Sequence, residues 1–315
     1  MAAARDNGGK VTAARLSALV EPSQLEGQLA AFARRGYGFS LTEKGTLVLE
    51  KWPKRLFAEE ITSGLGTEVA GRRAEVHWVT ASTNTLARAE ARRGREGTAI
   101  FAEEQTGGRG RFGRKWVAPR FSSILMSAAL WSPRRAGIRP ETLALAGAAA
   151  VAEAIAQAHN LPARIRWPND VVIEGRKVSG VLVEGLAADG EGQWLVVGIG
   201  VNVNLDLEEM PGELRRSAGS ISHFTGREAD RALLARAILR RLDFWWEVLK
   251  AGDIRRLSEC SRRHSSIMGS FVTVESKGKR CTGRVVDVDA EVGLVLQLSG
   301  GPTRTFAPGE TSLVS

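Results

Sequence analysis

Apolar positions change their spacing along this chain, and each change predicts a different kind of element. Residues 11–19, VTAARLSAL, read as a short helix, and SQLEGQLAAFARR continues with Leu25, Leu29 and Phe32 at helical spacing until Gly36 stops it. YGFSL, TEKG and TLVLEKW then alternate as a hairpin with a glycine-bearing turn. KRLFAEEITSGL predicts a further amphipathic helix, and GTEVAGRR a linker.

The middle of the chain alternates strands and helices. AEVHWVTA, TAIFAEE and SSILMSAALW predict strands, with a helix from Ser82 through TNTLARAEARR between the first two. Pro140 sits at the first position of PETLALAGAAAVAEAIAQAH, which is apolar on most faces and therefore predicts a buried helix. ARIRW predicts a strand broken by Pro168, and VVIEGRKVSGVLVE a hairpin turning at Glu174-Gly175. QWLVVGIGVNVN is continuous enough in apolar residues for a central strand, and ADRALLARAILRRLDFWWEVLK predicts a long helix closing the region. From Gly269 the period becomes two. FVTVES, KGKRCTGRVVDVD, GLVLQL and TRTFAP predict short strands of a small SH3-like barrel.

The expected organisation is therefore α+β. It has an N-terminal helical and hairpin domain over 1–66, a mixed-sheet domain over 67–266 and a β-domain over 267–315, with a disordered tail over residues 1–9. A length of 315 residues suits several domains. Composition changes this picture little: 43% apolar and 25% charged residues are ordinary for a globular protein. The formal charge of +9 favours anionic ligands. Two cysteines, Cys260 and Cys281, make no disulfide framework, and four scattered histidines offer no metal-ligand spacing. MAAARDNGG lacks the apolar stretch of a signal peptide, and no run approaches a membrane span, so a cytoplasmic location and no membrane partner are expected.

The stretch that carries chemistry is QTGGRGRFGRKWVAP, residues 105–119. Gly108, Gly110 and Gly113 match the G-x-G-x-x-G spacing of a dinucleotide loop, but the chain then runs into Pro119 instead of opening a helix. Kinase catalytic-loop and metal-binding signatures are absent, and the segment is not a repeated Arg-Gly tract. What remains is an anion-cradling loop. Its glycines let backbone N–H groups approach a ligand, and its arginines supply bidentate donors to carboxylate or phosphate. Such a dense cationic loop repels itself when empty and is expected to order around an anion.

Two further stretches suit the same chemistry. RWPND places Asn169 and Asp170 just past a strand, where Asp170 offers either a Mg²⁺ ligand or an Asx turn. RKVSGVLVE places Lys177 either at a ligand or on an exposed hairpin, with Gly180 leaving room for a ligand or another backbone.

In this order, ASTNT, GRGRFGRKW, RWPND, KVSGVLVE and GIGVNVN resemble the signature set of biotin protein ligases, over residues 74–310. Arg166 stands where that family usually has lysine. The resemblance implies a two-step reaction. Biotin and MgATP give biotinyl-5′-AMP and pyrophosphate, and a lysine of a biotin carboxyl carrier domain then takes the biotinyl group. It implies biotin contacts at Ser82, Thr83, Asn84, Gln105, Arg109, Gly110, Arg111, Lys177 and Gly180. It implies ATP contacts at Arg111, Arg114, Trp116, Asn169, Asp170, Lys177 and Asn202, with Trp116 near adenine or in the core. Arg111 and Lys177 are the expected catalytic pair and Asp170 the expected Mg²⁺ ligand. Biotin is a substrate, and no tightly bound prosthetic group is implied.

Alternatives on the same fold are a lipoate-type ligase or octanoyl transferase, and a catalytically inactive binder. Some members of the family also carry an N-terminal winged helix and repress a biotin operon. Residues 11–49 resemble that module, but SQLEGQLAAFA contains no Lys or Arg to meet phosphate, and a leading helix is not expected from MAAARDNGG. A degenerate winged-helix-like domain is thus favoured over DNA binding, and the chain is compatible with a homodimer.

Overall fold

The structure is a computed structural model describing Ala4, Asn7, residues 9–187 and residues 190–314. Most of the expected N-terminal tail lies outside the described residues. At those that are described the expectation fails, because Ala4 is fully buried and its carbonyl accepts from the N–H groups of Asn7 and Gly9.

A short strand, β1 (Lys10–Val11), precedes helices Ala13–Leu19 and Pro22–Arg34 and the hairpin β2 (Gly38–Leu41) and β3 (Leu47–Lys51). Thr12 caps the first helix by accepting from the Arg15 N–H, and Pro22 opens the second. The strand order is β1-β3-β2. Val11, Tyr37, Leu47 and Leu49 are buried in a small core of their own, with Leu29 and Phe32 packed against it.

The expected helix over KRLFAEEITSGL shrinks to Ala58–Thr62. The Leu56 N–H goes to the Glu103 carboxylate, and Gly64 and Gly66 adopt positive φ just after the helix. Leu56, Ile61 and Leu65 pack into the central core, so packing changes before this segment and not at residues 66–67. The helix Arg231–Lys250 holds it there. Fully buried Arg236 donates to the carbonyls of Glu60, Ile61 and Ser63. Asp243 accepts from the N–H groups of Glu68, Val69 and Ala70. Arg231 forms a buried ion pair with Glu103 and also donates to the carbonyl of Lys54. Desolvation lowers the Arg231 pKa, and the Glu103 charge opposes that shift.

The central sheet contains β4 (Arg73–His77), β5 (Thr98–Ala102), β6 (Ser123–Pro133), β7 (Arg164–Arg166), β8 (Asp170–Ile173), β9 (Arg176–Ala187) and β10 (Gly192–Asn202). Their order is β4-β5-β6-β10-β9-β8-β7, antiparallel except for β4 with β5. The parallel pair requires a crossover, which the helix Thr83–Arg92 supplies. Glu174 and Gly175 both take the left-handed conformation at the β8–β9 hairpin, as a type I′ turn needs. The helix Pro140–His159 is buried along most of its length between the sheet and helix 231–250, as its all-round apolar character predicts.

Helices Gly212–Ser217, Ile221–Thr225 and Ile254–His264 were not among the expected elements. The last had a legible start, since Asp253 caps it through the Arg256 N–H.

The C-terminal region forms β11 (Phe271–Ser276), β12 (Lys279–Asp289), β13 (Gly293–Gln297), β14 (Thr303–Phe306) and β15 (Thr311–Val314), in order β14-β13-β12-β11-β15. This antiparallel sheet is compatible with the expected SH3-like fold. Its core of Val274, Val285, Val288, Leu294, Leu296 and Phe306 also takes in Trp167 from the RWPND stretch. No helix among the described residues is long and apolar enough to cross a membrane.

Candidate active site

All the residues expected to contact biotin or ATP line one cavity of about 380 Å³. It opens where β8, β9 and β10 meet the start of helix 83–92, the loop 105–119 and the C-terminal sheet.

The loop is a small hairpin. Gly110 N–H donates to the Arg114 carbonyl, Trp116 N–H donates to that of Gly108, and Arg109 pairs with Lys115. Phe112 at φ 54 and Gly113 at φ 71 make the left-handed turn at its tip. Gly108 is required by crowding, because a Cβ there would lie 2.6 Å from the Trp116 carbonyl oxygen.

The turn throws Arg111 back into the cavity. Its guanidinium donates to Asn169 Oδ1 at 3.1 Å and to the backbone carbonyls of Pro308 and Thr311. Asn169 is itself held by Val181, whose carbonyl accepts from Nδ2. Burial lowers the Arg111 pKa. The charge of Asp170 opposes that shift, and that of Arg114 adds to it. Lys177 extends its ammonium to Asp170 Oδ1 at 2.6 Å and lies 5.7 Å from the centre of the Trp116 ring. Asn202 donates to the Gly219 carbonyl, next to the Lys177 backbone.

The opposite end is polar and neutral. The Thr83 N–H donates to Gln105 Oε1 at 2.7 Å, and Ser82 is the residue preceding helix 83–92. Asn84 and Thr83 are both almost fully buried.

Between the two ends lies a flat slot. Gly180 on β9 pairs directly with Gly200 on β10, and the Trp116 indole rests on both. A Cβ at Gly200 would lie 2.6 Å from the indole, and one at Gly180 would lie 3.2 Å from it. Trp116 thus fills the space that Gly180 was expected to leave for a ligand ring. Its Nε1 is buried with no hydrogen-bond partner among the described residues.

The expectation about Gly180 did not extend to Gly198 and Gly200, although both lie in the GIGVNVN stretch. A Cβ at Gly198 would lie 2.1 Å from Asn84 Oδ1, so only glycine lets Asn84 sit where it does. Ser312 and Leu313, which line the cavity, were also missed, as were Ser127 and Glu184, which are hydrogen-bonded to Thr83 and Asn84 behind it. Ser127 left a signal, a hydroxyl in the middle of the apolar run ILMSAALW; Ser312 and Leu313 left none, since they reach the cavity only because the C-terminal sheet docks beside it. Among the described residues no group of three or more acidic, histidine or cysteine side chains could hold a metal. Of the residues lining the cavity Asp170 is the acidic one, and it is paired with Lys177.

Known proteins resemble this chain in sequence and fold. A profile described as the Biotin/lipoate A/B protein ligase family matches residues 47–202. The bifunctional ligase/repressor BirA of Bacillus subtilis is 35% identical over 275 residues, 87% of this chain and 84% of that protein. The biotin–[acetyl-CoA-carboxylase] ligase of Mycobacterium tuberculosis is 30% identical over 258 residues, 78% of this chain and 91% of that protein. The solved biotin protein ligase of Aquifex aeolicus, in complex with biotin and ATP, aligns with a TM-score of 0.67 and 28% identity, covering 76% of this chain and 98% of that one. Identity of this extent, together with the single cavity that gathers the motifs, shows that the chain belongs to the biotin protein ligase family.

Proposed function

We propose that this protein is an ATP-dependent biotin protein ligase acting on a lysine of a biotin carboxyl carrier domain. The observation that carries the reading is the convergence of Arg111, Lys177 and Asp170 with the Thr83–Gln105 end in one cavity. In the first step a carboxylate oxygen of biotin attacks the α-phosphorus of ATP. The α–β bridge breaks and pyrophosphate leaves. Two anions must meet, so the barrier falls when preplaced cations screen them. Arg111 and Lys177 are the cations within the cavity suited to this, and anionic ligands would compete with Asp170 for Lys177. In the second step a carrier lysine amine attacks the acyl carbon, AMP departs, and the amine loses its proton to solvent.

Thr83, Asn84 and Gln105 take the ureido end of biotin, with Ser82, Arg109 and Gly110 beside them and Gly180 under the ring. Arg114, Trp116, Asn169 and Asn202 serve the nucleotide. Trp116 must leave the glycine slot before a ligand ring can lie there. Magnesium enters as MgATP, with Asp170 able to add one carboxylate to its phosphate oxygens. We place the domain boundaries near residues 53 and 266, the first moved from 66 because 56–65 packs in the central core. The N-terminal domain is read as a packing or protein-contact module. Helix 22–34 carries no cation before Arg34, which disfavours DNA binding, and a gel shift on the upstream region of a biotin biosynthesis gene tests it.

The ligase reading is tested by incubation with biotin, MgATP and a carrier domain, read by streptavidin blot. Labelling should require all three and should vanish with a non-cleavable α,β analogue of ATP. An unlabelled carrier would sink the reading, and undiminished labelling with the analogue would remove adenylation from it.

A further inference from the structure

We propose that Glu184, acting through Asn84 and Ser127, fixes the donor and acceptor directions at the neutral end of the cavity and tethers Arg109 beside it. The proposal rests on the ligase reading and adds two positioning residues to it. Glu184 stands on β9 with Oε2 2.9 Å from Asn84 Nδ2. Its Oε1 lies 3.8 Å from Arg109 Nη2 and 4.0 Å from Arg88 Nη1. Fully buried Ser127, on β6, has its Oγ 2.6 Å from Asn84 Oδ1 and 2.7 Å from Thr83 Oγ1.

The directions follow from proton counting. An ionised carboxylate only accepts, so the Asn84 atom facing Glu184 must be Nδ2, and Oδ1 must face Ser127. An amide oxygen also only accepts, so the single Ser127 proton goes to Asn84 Oδ1. The short contact between Ser127 and Thr83 then needs the Thr83 proton, given to Ser127. Gln105 Oε1 accepts from the Thr83 N–H at 2.7 Å and also lies 3.1 Å from Thr83 Oγ1; with two hydroxyl protons for three oxygen contacts, this longest one goes without. Donation thus runs from Thr83 to Ser127 to Asn84 to Glu184 and ends on a charge. It leaves the lone pairs of Thr83 Oγ1 as acceptors and the Gln105 Nε2 amide group as a donor. A cyclic urea has N–H groups that need the first and a carbonyl that needs the second. Reversing the chain would present the wrong polarity at Thr83. The same carboxylate draws the loop cation Arg109 to this end, so one residue organises both the neutral contacts and the edge of the loop.

Glu184→Gln keeps the shape but removes the charge that sets the direction. Ser127→Ala removes the middle link while keeping almost the same volume, and serves if Glu184→Gln does not fold. Steady-state pyrophosphate release is measured with biotin and ATP varied separately, and folding is followed by thermal melting. Each variant should raise the KM for biotin about tenfold or more, the loss of one buried polar contact. The KM for ATP and kcat should stay within about threefold, and the double variant should fall short of the product of the two, because both act on one chain of bonds. A wild type without biotin-dependent turnover would sink the ligase reading itself. With an active wild type, an unchanged KM for biotin in a folded variant, a parallel rise in both KM values, or multiplicative effects would overturn the role of Glu184.

Discussion

The two terminal domains differ in what they give the active site. Both are small and built around antiparallel strands. The N-terminal one closes its own core, and among the described residues none before Ser82 lines the cavity. The C-terminal one borrows Trp167 from the middle of the RWPND motif, receives two hydrogen bonds from Arg111 at Pro308 and Thr311, and lends Ser312 and Leu313 to the cavity wall. Arg262 adds ion pairs to Asp287 and Asp289. One appendage sits beside the catalytic core, and the other completes it. A residue inside a binding motif can thus serve the neighbouring domain's packing, and Trp167 stands in both the C-terminal core and the cavity wall.

Deletions offer the largest test of this contrast. Removing residues 267–315 should abolish labelling of a carrier domain, because it exposes Trp167 and strips Arg111 of its carbonyl acceptors. Removing residues 1–52 should leave turnover within about threefold, as expected where few contacts cross a boundary. Removing residues 1–66 should instead give a misfolded protein. It takes away the three carbonyls of Glu60, Ile61 and Ser63 that receive fully buried Arg236, and breaking a buried charge site costs about 3–5 kcal/mol. Equal activity and melting of the two N-terminal truncations would erase the distinction drawn between residues 53 and 66.

Trp167→Ala narrows the test to one side chain. Emptying its place in the C-terminal core should cost about 3–5 kcal/mol in stability. Chemical denaturation followed by circular dichroism reads it, and a loss below about 1 kcal/mol would show that the two domains are not joined through Trp167.

Arg111→Gly removes the bond between the loop and the C-terminal sheet. Charge-assisted hydrogen bonds of about 1.5–3 kcal/mol correspond to about ten- to more than a hundredfold in retention of a bound anion. Biotinyl-adenylate should form more slowly but escape faster, and a bystander such as serum albumin should become biotinylated by the variant and not by wild type. Retention of the adenylate as long as in wild type would show that Arg111 does not hold the intermediate.

The smallest effect is expected on the N-terminal side. Arg35 pairs with Glu59 at 2.6 Å, but both side chains are about half exposed. Arg35→Ala should cost only about 0.2–1 kcal/mol, with ligase turnover unchanged. A large fall in turnover would mean that the N-terminal domain supports the site after all.

What the sequence determined by itself is most of the central elements and most of the charged and polar groups that line the candidate cavity. Periodicity was enough for β5, β6, β9, β10 and the two 20-residue helices, because a strand or helix that must bury one face or all faces writes that need into its spacing. Motif order was enough to bring Thr83, Gln105, Arg111, Asp170 and Lys177 together in expectation. Tertiary structure alone decided what these residues lean on. That Gly180 faces Gly200, that Trp116 lies on both, that Ser127 and Glu184 stand behind Asn84, and that Pro308 and Thr311 receive Arg111 all depend on register and docking between segments distant in the chain. That Leu56, Ile61 and Leu65 belong to the central core was hidden for the same reason. GTEVAGRR reads as a linker until Asp243, nearly 180 residues later, binds its backbone N–H groups. Local composition reports how a segment satisfies itself, whereas these contacts are satisfied by partners that only the folded chain brings within reach.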